Sequence, residues 1–212
     1  MAQALARKLV ACLPARAPGL FNPWAEACRH DSVWNGPEAR LGRLEAHLDR
    51  DAEWILCGEA PGYLGCRYSG IAFTSERLLL SGAVPNVPTA SSRLTTAARP
   101  LSEPSATIVW ETLYRLGIAE RVVLWNALQL HPHEPGNVHS NRTPTTDELA
   151  LGADCLAALL NAFPKAKLIA VGNKAALALT ALGIQPIAQI RHPANGGKRE
   201  FVEGLGRAVR DP

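Results

Sequence analysis

A carboxylate, an amide, an imidazole and an aromatic ring stand where short apolar runs of this chain open into loops. Glu59 follows "EWILC" (53–57), Asn126 closes "RVVLWN", Phe73 lies just past Gly70, and His192 follows "QPIAQI" (185–190). A carboxylate at a strand end suits a general base or an electrostatic stabiliser, and a histidine opposite it completes an acid/base or electrophile pair. An Asn amide presents a donor and an acceptor side by side, the pattern that reads a base edge. A Phe beside a glycine is placed to stack on a planar ligand. Gly58, Gly62, Gly65 and Gly70 let the backbone turn sharply and approach such a ligand closely.

Each feature has a simpler alternative. Residues 57–76 could be a flexible loop with a surface carboxylate and a core Phe. Asn126 could be a turn residue. His192 could be a lone polar loop residue. Thr74 and Ser75 offer hydroxyls and amides near a possible helix start, a setting suited to phosphate. His131, His133 and His139 make a weak zinc signal, against which solvent-facing loop histidines are the plainer expectation. In "RHPANGGKRE", Pro193 stiffens the loop, Gly196 and Gly197 permit tight geometry, and Arg191, Lys198 and Arg199 add charge or simply solvate a helix start.

The elements that must hold these residues follow from periodicity. Helical spacing covers 1–13 and 37–50, with Leu41, Leu44 and Leu48 on one face of the second. Short apolar strands are expected at 53–57, 121–127, 167–172 and 185–190, and helices at 104–117, 145–163, 173–183 and the end of the chain. Thr145 and Glu148 can form a capping box at the start of the 145–163 helix. Residues 83–105, rich in Pro, Ser and Thr, read as a long surface loop. Strands alternating with helices predict a three-layer α/β/α sandwich around a central, mainly parallel four-stranded sheet. Ligand sites in such folds lie at the carboxyl ends of the strands, here 58–76, 126–144, 172–175 and 191–199.

The 212 residues suit one domain spanning 1–212, and 47% hydrophobic residues suffice for a core without staples. A net charge of +3 permits a polyanionic partner without demanding one. Five cysteines with no CxxC spacing argue against a disulfide scaffold or a zinc ribbon. The first residues read as an amphipathic helix rather than a signal peptide, and no run approaches the length of a membrane span. The expectation is a cytoplasmic monomer with no membrane association.

Taken together the loops at 58–76, 126–144 and 191–199 resemble the uracil-DNA glycosylase superfamily, in its branch with a Gly-Glu-Ala-Pro-Gly first motif. That motif is "GEAPG" (58–62), followed by "GIAF" (70–73), a strand ending in Asn126, "NRTP" (141–144) and "HPANGGKRE" (192–200). The resemblance spans about residues 53–205. It implies hydrolysis of the N-glycosidic bond of a damaged base flipped out of DNA, with DNA as partner and uracil or a related deaminated or 5-substituted base as substrate. By position, Glu59 would orient water or stabilise the cationic sugar, and His192 would hydrogen-bond the base O2. Phe73 would stack on the base, Asn126 would read its edge, and Gly58 and Gly62 would line its pocket. Thr74 and Ser75 would anchor phosphates. Arg67, Arg77, Arg142 and Lys198 would meet the DNA backbone. Residues 193–199, with Pro193, Asn195, Gly196 and Arg199, would enter the minor groove.

The departures carry expectations too. Many members of that branch hold an iron–sulfur cluster on four cysteines, two of them in CxxC. This chain has Cys12 and Cys28 but no CxxC, so neither a cluster nor any other cofactor or metal is expected. Gly62 stands where other members carry a Tyr that excludes thymine's methyl, which predicts a wider pocket unless Tyr63 or Tyr68 refills it. A catalytically weak DNA-binding homologue and a small-molecule nucleoside hydrolase are the competing readings.

Overall fold

A computed structural model describes residues 2–210. The chain runs α1 (Ala2–Ala11), β1 (Leu20–Phe21), α2 (Pro37–Leu48), β2 (Trp54–Gly58), α3 (Cys66–Ser69), α4 (Glu76–Leu80) and α5 (Pro104–Arg115). It continues through β3 (Val122–Asn126), β4 (His131–Pro132), α6 (Thr146–Ala150), α7 (Ala153–Ala162), β5 (Lys167–Val171), α8 (Asn173–Ala181), β6 (Ala188–Ile190) and α9 (Lys198–Arg210). Four strands form one sheet in the order β3-β2-β5-β6, with every neighbouring pair parallel. The three-layer α/β/α architecture expected from the alternating pattern is therefore observed.

Side chains of a strand alternate between faces, and both faces here are covered. Leu56, Leu124, Ile169 and Val171 pack on one side with Trp110, Leu113, Phe201 and Leu205 from α5 and α9. Ile55, Cys57, Val123, Trp125 and Ala170 pack on the other with Leu9, Leu44, Leu156 and Leu179 from α1, α2, α7 and α8. Each fully buried Leu or Ile side chain contributes roughly 1.5–3 kcal/mol. Strand β3 lies at the sheet edge, and His47 closes it: its Nε2 accepts from the Leu124 amide at 3.0 Å. Burial drives the His47 pKa well down, so the ring is a neutral acceptor there.

Three expectations change. The single helix over 145–163 is two helices, α6 and α7, broken at Leu151–Gly152. A side chain at Gly152 would collide with the Ala127 carbonyl, so the chain bends where it crosses the end of β3. The capping box of Thr145 and Glu148 is present at α6. The fourth strand, expected from 185, pairs only over 188–190. Residues 83–103 are not merely a surface loop, because Val84, Val87, Leu94 and Thr95 are buried. That segment wraps the carboxylate of Glu76, which accepts from Arg93 Nε (2.7 Å), Leu94 N (2.8 Å), Thr95 Oγ1 (2.9 Å) and Leu101 N (2.7 Å). Sequence periodicity is blind to this, since the order comes from one distant acceptor rather than from an apolar stripe.

Candidate active site

The sheet register brings the site residues into one row. Gly58 pairs opposite Asn126, and Val171 opposite Ile190. Residues 58–59, 126, 172 and 191–192 therefore emerge together at the carboxyl ends of β2, β3, β5 and β6. They open onto a cavity of about 630 Å³ lined by Glu59, Phe73, Glu103, Asn126, Asn141 and His192 among others.

Gly58 is required by contact. A methyl group built on it would lie 2.6 Å from Asn126 Oδ1 and 2.8 Å from Phe73 Cζ, so the amide and the ring close over a bare Cα. Phe73 takes a left-handed backbone (φ 48°), which is costly for a non-glycine residue and is held by its buried surroundings. Its ring lies 6.0 Å from the His192 ring, centroid to centroid. Asn126 is 6% exposed as a residue and lines the cavity, and its side-chain amide has no hydrogen-bond partner among the described residues. An amide that faces the cavity without a protein partner keeps its donor and acceptor free to pair with a ligand's edge.

The ionisable groups are poised rather than satisfied. Burial raises the Glu59 carboxyl above its ordinary value, and Lys174, at 3.9 Å, opposes that rise. Lys174 Nζ also donates to Thr143 Oγ1 at 2.6 Å. Burial, reinforced by Arg191, lowers His192 and keeps the imidazole neutral. Its Nδ1 accepts from the Ala194 amide at 3.1 Å, which places the ring proton on Nε2 by this hydrogen-bond network. The ring is therefore a neutral N–H donor. Gly172 (φ 93°) lets β5 end against it, since a side chain there would begin 3.0 Å from His192 Cβ. Gly197 likewise admits the His192 carbonyl.

Other expected site residues lie elsewhere or are already engaged. Thr74 and Ser75 are completely buried. Thr74 Oγ1 donates to Ala72 O and accepts from Trp110 Nε1, both at 3.1 Å, so these hydroxyls face the core and not a phosphate. Arg67 is also buried, stacked 3.7 Å from the Phe21 ring centroid and 2.9 Å from His131 Nδ1. It cannot reach a DNA backbone. Arg142 lines the cavity, but its guanidinium is bound by Glu148 (2.6 and 2.7 Å) and donates to the carbonyls of Gly19 and His133. That fork is structural. Arg77 is exposed, as are Asn195, Gly196, Lys198 and Arg199, while Pro193 is buried at the foot of their loop. Lys198 meets Glu111 at 3.4 Å on the surface. Gly62 lines the cavity, and neither Tyr63 nor Tyr68 does.

His131 is not the solvent-facing loop histidine expected from its setting. It is buried, and burial together with Arg67 lowers its pKa to about 3. No three His, Cys, Asp or Glu side chains among the described residues converge as metal ligands. Cys57, Cys66 and Cys155 are buried, Cys28 is half-buried and Cys12 is exposed; all are free thiols and no three of them converge among the described residues, so they offer no ligand set for an iron–sulfur cluster.

Sequence reasoning gave no role to Lys174 or Glu103, nor to Asn141 beyond its place in the "NRTP" motif. Lys174 sits in the 172–175 segment, a strand-end position whose register was the available signal. Glu103 had no sequence signal, since it reaches the cavity from the start of α5.

A family model described as the uracil DNA glycosylase superfamily matches residues 46–203. The chain belongs to that superfamily. Its members are DNA glycosylases, which are hydrolases. The crystal structure of wild-type SMUG2 from Pedobacter heparinus is similar, with a TM-score of 0.64, 15% identity and 97% of each chain covered. At that identity the likeness concerns the fold. None of the curated proteins matches this chain.

Proposed function

We propose that this superfamily member is a monofunctional DNA glycosylase that hydrolyses the N-glycosidic bond of uracil, or of a related deaminated or 5-substituted base, flipped out of DNA. The observation that carries this is the unpaired, cavity-facing amide of Asn126 beside the Phe73 ring and the neutral N–H of His192. Extruding a nucleotide costs a few kcal/mol, repaid by stacking on the Phe and by hydrogen bonds to the base edge. Bond cleavage separates positive charge on the sugar from negative charge on the leaving base. Glu59, ionised, stabilises the first or activates water, and His192 Nε2–H donates to the second at O2. Lys174 favours the ionised form of Glu59 and opposes the desolvation that raises its pKa. The segment at the start of α9, with exposed Asn195, Gly196, Lys198 and Arg199, is the part that enters the duplex, and Arg77 is a backbone contact.

Within the superfamily we place the chain with the Gly-Glu-Ala-Pro-Gly branch, as a member without the iron–sulfur cluster. It acts as a cytoplasmic monomer on DNA. The test is to incubate the protein with oligonucleotides carrying uracil, hypoxanthine, xanthine or 5-hydroxymethyluracil and to score alkali-labile sites. Strand breaks at uracil support the reading. Release from free nucleosides with no response to DNA would replace it with a nucleoside hydrolase.

A further inference from the structure

A second, small cavity lies beside Asn126 and has no role in the chemistry above. Its volume is about 10 Å³, close to the room of one water. Trp24, Trp125, Gln129 and Asn126 are among the residues that line it, and Asn126 also lines the large cavity. Three buried polar atoms on these side chains have no hydrogen-bond partner among the described residues: Nε1 of Trp24, Nε1 of Trp125 and Oε1 of Gln129. The two indoles lie nearly parallel, with ring centroids 6.5 Å apart. Gln129 is 2% exposed, and its Nε2 donates to the carbonyls of Asn126 (2.7 Å) and Ala127 (3.1 Å). Those two bonds assign which end of the amide is oxygen. They also hold the backbone of Asn126 where β3 ends.

The three atoms are complementary to one molecule. An indole N–H only donates, and an amide oxygen only accepts. A water accepts from both indoles and donates to Gln129, which is the usual set of about three hydrogen bonds for a buried water. Two N–H donors repel a cation, and an apolar guest satisfies none of the three. Buried polar groups without partners cost free energy, so a guest that pairs all three at once is favoured. A water there anchors the oxygen end of Gln129 while the nitrogen end holds Asn126.

We propose that this cavity is the site of one ordered water, bound by Trp24, Trp125 and Gln129, and that Gln129 so anchored is a positioning residue for Asn126. The water site stands on the cavity and its three atoms. The positioning role rests on the glycosylase reading above, in which the Asn126 amide meets the edge of the flipped base. Gln129 does not line the large cavity. It acts by fixing the turn from which that amide projects.

The water is tested on the ligand-free protein. A crystal structure should show density for one water within hydrogen-bond distance of Trp24 Nε1, Trp125 Nε1 and Gln129 Oε1, and a dry cavity would overturn the site. The positioning role is tested by single-turnover release of uracil from a duplex by wild type, Gln129→Met, Asn126→Ala and the double variant. Gln129→Met keeps the length of the side chain and removes its polar contacts. It should slow release about tenfold in the wild-type background, the worth of a hydrogen bond or two. In the Asn126→Ala background it should change the rate less than about twofold, because the residue it acts through is gone. Equal slowing in both backgrounds would show a merely structural Gln129 and overturn the positioning role. If Gln129→Met fails to fold by thermal melting, Trp24→Phe decides by the same cycle: it keeps a ring against Trp125, removes one donor to the water, and should slow release about threefold only where Asn126 is present. No release of uracil by wild type would overturn the glycosylase reading and the positioning role with it, and the water site would then stand or fall on its density alone.

Discussion

Two glutamates of this chain are drawn out of water to opposite ends. Glu76, at the start of α4, is completely buried, and burial alone would raise its pKa. Hydrogen bonds from Arg93, Leu101 N, Thr95 and Leu94 N outweigh that and hold the carboxyl below its ordinary value. Glu59, at the end of β2, is only partly buried, yet its pKa is raised because a single lysine at 3.9 Å is all that opposes desolvation. The difference is in the number of partners, not the depth. A carboxylate ringed by donors organises chain, as Glu76 does for residues 93–101. One left short of donors is available for work on something else.

The sharpest way to break this comparison is to delete both acids and measure stability. Glu76→Ala leaves an arginine and several amides without their acceptor and should cost roughly 3–5 kcal/mol in urea unfolding. Glu59→Ala should stay within about 0.5 kcal/mol of wild type, because it removes a group the fold does not satisfy. Equal costs would show that Glu59 is structural too.

On the catalytic side, His192→Ala should slow base release about 10²–10³-fold with an unchanged unfolding midpoint, the loss typical of one donor aimed at developing charge. A matching fall in stability would mean the imidazole serves the Ala194 turn and little else. Gly58→Ala tests the packing between the two regions. Its methyl would press on Asn126 Oδ1 and Phe73 Cζ at 2.6 and 2.8 Å. It should destabilise by about 1–3 kcal/mol and impair release by displacing the amide.

The smallest effects are in pH. Glu76 is lowered in the folded state, so its stabilisation is present above the unfolded value near 4.5 and is lost as pH falls through its folded value. Glu59 is raised, so the folded state holds its proton more tightly, and the cost of ionising it disappears on acidification. Acid should therefore weaken wild type more than Glu76→Gln in urea titrations. The acid limb of the base-release profile should lie above the ordinary glutamate value of 4.5, where Glu59 loses its charge. An acid limb at or below that value would place the essential carboxylate elsewhere.

Much of this was legible from residue order. Alternating strands and helices gave the parallel sheet, and the strand-end rule selected Glu59, Asn126 and His192 as neighbours, which the register of Gly58 with Asn126 and Val171 with Ile190 then produced. What stayed hidden was side-chain destination. Thr74, Ser75 and Arg67 look like phosphate ligands in one dimension, but α3 and the following turn carry them inward. Arg142 reads as a free cation until Glu148 is seen to hold it. Glu103 and Lys174 enter the cavity from elements whose approach depends on tertiary packing. The break at Gly152 reflects a carbonyl of β3's end that no local pattern encodes.

Single-turnover release of uracil from a uracil-containing duplex, by wild type and by Glu59→Gln, tests the central claim most directly. The account predicts that wild type leaves an abasic site and that the variant is slowed about 10²-fold or more while binding the same duplex with unchanged affinity. Release by the variant at the wild-type rate, or no release by wild type from either single- or double-stranded DNA, would contradict it.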